Sequence, residues 1–110
     1  MTNIERIDFL AQMRLRGIWA FYHDRCYFFD GYEQDGKTPR LIVMSWKASL
    51  GKNNRIVNAT MGNGDYVDFK VEFQEEKNSV AEAFDDFSKL PVFDGKTFPE
   101  VEGFLVFDDK

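Results

Sequence analysis

His23 and Cys26 are the only histidine and the only cysteine in the 110-residue chain. A thiol beside an imidazole is the raw material of a cysteine nucleophile, and a tight turn at Asp24-Arg25 would bring these two together. Nothing near Cys26 marks a helix N-terminus or an oxyanion hole, and a lone cysteine behaves as a small hydrophobe. The pair reads as structural, and no catalytic residue is assigned. One thiolate and one imidazole fall short of the four ligands that structural zinc takes, so no metal or cofactor is expected. The acidic doublets Glu75-Glu76, Asp85-Asp86 and Asp108-Asp109 place neighbours in different directions on polar segments. They read as solvated charge, not as the buried, pKa-separated pair of acid–base catalysis. Gly62-Asn63-Gly64 precedes a strand-like run, not a helix carrying Lys-Ser/Thr, and so reads as a hairpin turn and not a phosphate loop. Asp94-Gly95-Lys96 carries too few acids for a calcium loop.

The constellation with a mechanism is aromatic. Ile18–Tyr32 holds seven aromatic residues in fifteen. Its alternation of aromatic and β-branched residues predicts two antiparallel strands, Ile18–His23 and Cys26–Tyr32. With the turn at Asp24-Arg25, His23 pairs with Cys26, Phe21 with Phe28 and Trp19 with Asp30. One face then carries Trp19, Phe21, His23, Cys26 and Phe28. The other carries Ile18, Ala20, Tyr22, Tyr27 and Phe29. If Tyr22, Tyr27 and Phe29 are open, with Arg25, Arg40, Lys47, Lys52 and Arg55 nearby, they form a stacking platform for single-stranded nucleic acid. No RNP-like motif accompanies them. The bland alternative is that both faces are covered.

These residues must be positioned by the rest of the chain. Thr2-Asn3-Ile4-Glu5 is a capping box and predicts a helix to about Arg16, ending at Gly17. Its spacing wets Glu5, Asp8, Gln12 and Arg16 and buries Ile4, Ile7, Leu10, Ala11 and Met13. After a loop over Glu33–Pro39, Arg40–Ala48 alternates as a strand, with Ile42, Met44 and Trp46 on one side. Gly51-Lys52-Asn53-Asn54 is a turn and Arg55–Met61 a weaker strand. Gly62-Asn63-Gly64-Asp65 is the strongest turn signal. Tyr66–Phe73 then alternates, with Val67, Phe69, Val71 and Phe73 inward. Ser79-Val80-Ala81-Glu82 opens a second helix that buries Val80, Ala83, Phe84, Phe87 and Leu90 and stops at Pro91. Thr97-Phe98-Pro99-Glu100 opens a helical turn, and Phe104–Phe107 is a last short strand. The expected fold is a single α+β domain: an N-terminal helix, an antiparallel meander of about five strands, a C-terminal helix packed on one face, and a short tail.

Composition narrows the function. Hydrophobic residues make up 44% and charged residues 30% of the chain, which excludes disorder. No segment approaches the ~20 apolar residues of a membrane span. One cysteine without a disulfide framework suits a reducing, cytoplasmic setting. The net charge is −5, which argues against general duplex binding. Residues 1–60 balance to +3 and residues 61–110 to −8. Either the halves neutralise each other, or the acidic half, around Asp85 and Asp86, faces a basic partner.

The tail Leu90-Pro91-Val92-Phe93-Asp94-Gly95-Lys96-Thr97-Phe98-Pro99-Glu100-Val101 and the layout of helix, aromatic hairpin, meander and helix resemble small uncharacterised proteins of bacterial genomes and their phages. That resemblance implies an accessory role and no activity, catalytic residue or ligand. The expectation is a non-catalytic protein that binds a protein partner through an aromatic sheet face or the acidic C-terminal half. The residues singled out for binding are Tyr22, Arg25, Tyr27, Phe29, Asp85 and Asp86. A homodimer by edge pairing is open to it. A single-stranded nucleic-acid binder is the alternative, and a small enzyme or ligand binder with a pocket between helix and sheet ranks last.

Overall fold

The structure, a computed structural model, describes residues 1–108, so Asp109 of the last acidic doublet lies outside the described residues. The fold is α+β. Helix α1 (Asn3–Leu15) is followed by strands β1 (Ile18–Tyr22), β2 (Arg25–Tyr32), β3 (Arg40–Leu50), β4 (Ile56–Asn58) and β5 (Lys70–Glu76). Helix α2 (Val80–Phe87), the short helix α3 (Phe98–Val101) and strand β6 (Val106–Phe107) complete it. All strand pairings are antiparallel, in the order β4-β3-β2-β1-β6, and β5 also pairs with β3. No helix of the described residues is long and apolar enough to cross a membrane.

The capping signals do their local work. Thr2 Oγ1 accepts from the Glu5 N–H at 3.1 Å, and Ser79 Oγ accepts from the Glu82 N–H at 3.1 Å. The Glu100 carboxylate takes both the N–H and the hydroxyl of Thr97, at 3.0 Å each, and these bonds hold it below the ordinary carboxylate range.

Each face of the sheet carries a buried cluster. The face carrying Ala20, Tyr22, Tyr27, Phe29, Leu41 and Val43 meets α1 and α2. There Phe9 touches Phe29, Phe84, Phe98 and Phe107, with ring centroids 5.4–6.0 Å apart. The other face holds a smaller cluster of Cys26, Trp46, Ala48 and Ile56, flanked by Trp19, Phe21, Phe28 and Met44. The sheet curls around this cluster until its two ends meet. The Ile56 N–H of β4 donates to Asp108 Oδ2 at 3.0 Å, while the Asp108 N–H donates to the Trp19 carbonyl of β1. Arg55 Nε lies 3.3 Å from Asp108 Oδ1.

Several expectations need correction. Leu10 and Met13 are buried as expected, but Ile4 and Ile7 are 81% and 67% exposed, and Phe9 fills the core in their place. The large Phe9 ring decides which way the helix faces, because burying it removes more apolar area from water than burying an isoleucine. The hairpin turn is His23-Asp24, with His23 at φ +45°, so Phe21 pairs with Cys26 and Trp19 with Phe28. A shift of two residues in pairing leaves the side chains on the expected faces. Alternation over 66–73 fails twice. Asp68 sits at φ +54°, and Glu72 is an extra residue between the pairs Val43–Phe73 and Met44–Val71. This bulge sends Val71 and Phe73 to opposite faces. Leu90 is exposed because α2 ends at Phe87.

Burial, reinforced by the nearby Glu72 carboxylate, pushes the Tyr27 hydroxyl far above the ordinary tyrosine range. The folded chain therefore keeps a proton that the unfolded chain releases near its ordinary pKa of about 10. Tyr27's contribution to stability is intact below that pH and declines as pH rises above it. Urea midpoints at pH 9 and 11 should fall further for the parent than for Tyr27→Phe. Equal declines would contradict the buried placement.

Candidate functional site

The six residues singled out for binding do not assemble into a surface. Tyr22, Tyr27 and Phe29 are only 6%, 2% and 0% exposed. Phe93 lies against Tyr27 at 4.6 Å and Tyr22 at 6.0 Å, and Phe29 meets Phe87 and Phe98. These rings are core, so no stacking platform exists on this face. Arg25 is spent internally: its guanidinium donates to Ser45 Oγ (2.9 Å) and to the Asp68 carbonyl (2.6 Å), and Ser45 in turn donates to Glu72. Asp85 pairs with Arg6 at 2.8 Å, and Asp86 with Lys77 at 3.0 Å. Hydrogen bonds with Glu75 and then Lys77 hold Asp86 below its ordinary value, while the hydrogen bond with Asp86 pushes Glu75 up.

These pairs bear on the charge asymmetry. Arg6–Asp85, Arg55–Asp108 and the Met1 amino group with Glu102 each join residues 1–60 to residues 61–108. The two halves partly neutralise each other across one fold. His23 and Cys26 are also apart in role. His23 stacks on Tyr22 and donates from Nδ1 to Asp94 at 2.6 Å, both of them exposed, whereas Cys26 is fully buried beneath the other face. Among the described residues no group of three or more His, Cys, Asp or Glu is placed to hold a metal ion.

What the structure does bring together is an aromatic ledge built on Trp46. Trp46 itself is buried, and its indole N–H donates to Asn58 Oδ1 at 2.7 Å. Tyr66 stacks on it, with centroids 4.3 Å apart and planes 10° apart, and Phe69 lies nearly parallel at 6.4 Å. With Met61, Asp65 and Asp68 they line an open groove of about 430 Å³. Met61, Tyr66 and Phe69 are 50%, 38% and 49% exposed, and Val71, across from Met44, extends the patch.

Backbone bonds fix this ledge. Val67 and Ala59 both bond Lys47 of β3, and Val67 N–H donates to the Ala59 carbonyl. Met61 N–H donates to the Asp65 carbonyl, and Asn63 donates its side-chain N–H to Asp65 Oδ2. Arg25 pins the carbonyl of Asp68, which holds a left-handed conformation that non-glycine residues adopt at a cost. The loop is thus anchored to β3 and to the hairpin tip.

Sequence reasoning missed this site because Tyr66 and Phe69 are three residues apart and cannot share a face in a straight strand. The available signal was the stretch Ile56–Phe69, which carries two carboxylates, no Lys or Arg, and three large apolar residues beyond its turn. No family model matches the chain, and no curated protein and no solved structure matches it.

Proposed function

We propose that this chain is a non-catalytic interaction protein that docks a protein partner on the Trp46 ledge. The observation that carries this reading is the near-parallel arrangement of Tyr66 and Phe69 on Trp46, with their outer surfaces in water. Exposed aromatic patches of this kind mark interaction sites. Tyr and Trp dominate the binding energy of interfaces. Rings already ordered by stacking and backbone bonds lose little freedom when a partner covers them. The α1 stripe of Ile4, Ile7 and Leu15 is also exposed. It consists of separate aliphatic side chains on a convex helix, without a concavity or a polar group aimed into one. That comparison favours the ledge.

The test is differential capture. The tagged protein, Phe69→Ser and Ile7→Asp are incubated with lysate, and any captured protein is purified and titrated against all three. Loss of a central aromatic anchor should weaken binding about 30-fold or more. Ile7→Asp should bind like the parent. Binding that survives Phe69→Ser but not Ile7→Asp would move the docking face to α1 and overturn the reading.

A further inference from the structure

The electrostatics of the groove point to the kind of side chain it takes. From Ile56 to Phe69 the chain has Asp65 and Asp68 and no Lys or Arg. The cations that border this segment are committed elsewhere or face away, and Arg55 lies against Asp108. Lys47 alternates with Trp46 along β3 and so projects from the opposite sheet face. Arg25 pairs with Lys47, and Lys70 pairs with Ser45, which places both on that same opposite face. The Arg25 guanidinium is already committed to Ser45 and the Asp68 carbonyl. Asp65 Oδ2 takes the Asn63 N–H. The exposed Asp68 carboxylate has no hydrogen-bond or ion-pair partner among the described residues. The groove therefore offers an aromatic face on Tyr66, the Phe69 ring and an unengaged carboxylate, all in one hydrogen-bonded loop.

We infer that this groove receives an arginine side chain of the protein partner, with the guanidinium stacked on Tyr66 or Phe69 and hydrogen-bonded to Asp68. This rests on the docking role proposed for the ledge and names what it recognises. Ring faces attract cations through their quadrupole. A planar guanidinium suits both parts of the site, because it stacks flat on a ring and presents a fork of donors to a carboxylate. A lysine ammonium is more strongly hydrated and has no plane to stack. The Met61 side chain adds an adaptable apolar wall for the methylene stem.

The experiment titrates the full chain, ¹⁵N-labelled, with three short Gly/Ser peptides that differ at one central position: arginine, lysine or citrulline. Citrulline keeps the planar shape and removes the charge. The arginine peptide should shift the amides of Met61, Tyr66, Asp68 and Phe69 and bind about 2–5-fold more tightly than the lysine peptide, the scale of an exposed cation–π contact. The citrulline peptide should leave these amides in place. Asp68→Asn should weaken the arginine peptide about 3–10-fold, the scale of an ordinary net hydrogen bond at an exposed site. Near-ultraviolet circular dichroism of Asp68→Asn should match the parent, because the Tyr66–Trp46 stack does not involve the carboxylate. Equal shifts from arginine and citrulline, or shifts confined to Asp85 and Asp86 on α2, would overturn the inference. If captured protein still depends on Phe69 while the peptides show no arginine preference, the arginine assignment alone falls. If that dependence is absent, the docking role falls.

Discussion

Replacing Phe29 with alanine should destabilise the fold by about 3–5 kcal/mol, the range for removing a fully buried phenylalanine. Phe29 is completely buried at the centre of the larger core, edge-on to Phe9 and Phe87 and close to Phe98. Those three rings come from three separate helices, so they cannot collapse together into the vacated volume without moving the helices off the sheet. A domain of this size has about 5–15 kcal/mol in total, and the variant should stand close to unfolding at room temperature. With a urea slope of about 1–3 kcal/mol/M, the midpoint should drop by about 2 M, read by circular dichroism. A loss under about 1 kcal/mol would mean that Phe29 is not core. The same measurement tests the rejected nucleic-acid platform, on which an exposed Phe29 would be replaceable at little cost.

Gly17→Ala should cost about 2–4 kcal/mol, from two separable sources. Gly17 follows α1 at φ +77°, a left-handed conformation that a Cβ disfavours by about 1–2 kcal/mol. A Cβ there would also stand 2.4 Å from Phe28 Cε1 and 3.2 Å from the Phe29 carbonyl oxygen. Phe28 packs against Trp19 at 4.6 Å, so its ring has little room to swing away. Gly36→Ala isolates the first source, because Gly36 is also at φ +77° and an added Cβ there has nothing within 4 Å. Subtracting its cost, about 1 kcal/mol, leaves the clash at Gly17. Equal costs at the two sites would show that the α1–β1 corner relaxes freely.

The elements that were legible in the sequence are those fixed by short-range chemistry. Thr2, Ser79 and Thr97 each announce a helix start because capping involves residues three apart. The alternation of Arg40–Ala48 was legible because β3 lies between neighbours along its length and keeps one register with β2. What was not legible depended on competition or on distant partners. Ile4 and Phe9 are both apolar candidates for one helix, and only the packing of Phe9 against Phe84 and Phe98 decides between them. The strand period over 66–73 was broken by Asp68 and Glu72, whose positions are set by Arg25 and Ser45 far away in the chain. The candidate site failed for a related reason. Dense aromatics in Ile18–Tyr32 are the same signal whether they are core or platform, and the opposing rings of Phe87, Phe93 and Phe98 made them core. The ledge joins Trp46, Asn58, Tyr66 and Phe69, which no local pattern connects.

The clasp at Asp108 has a consequence for how the chain is made. Its carboxylate and N–H tie β4 to β1, and Phe107 reaches back to Phe9 of the first helix. The tie between β4 and β1 cannot close before Asp108 has left the ribosomal exit tunnel. Until then the strand edges that it joins stay open in the nascent chain, where unpaired edges are prone to aggregation.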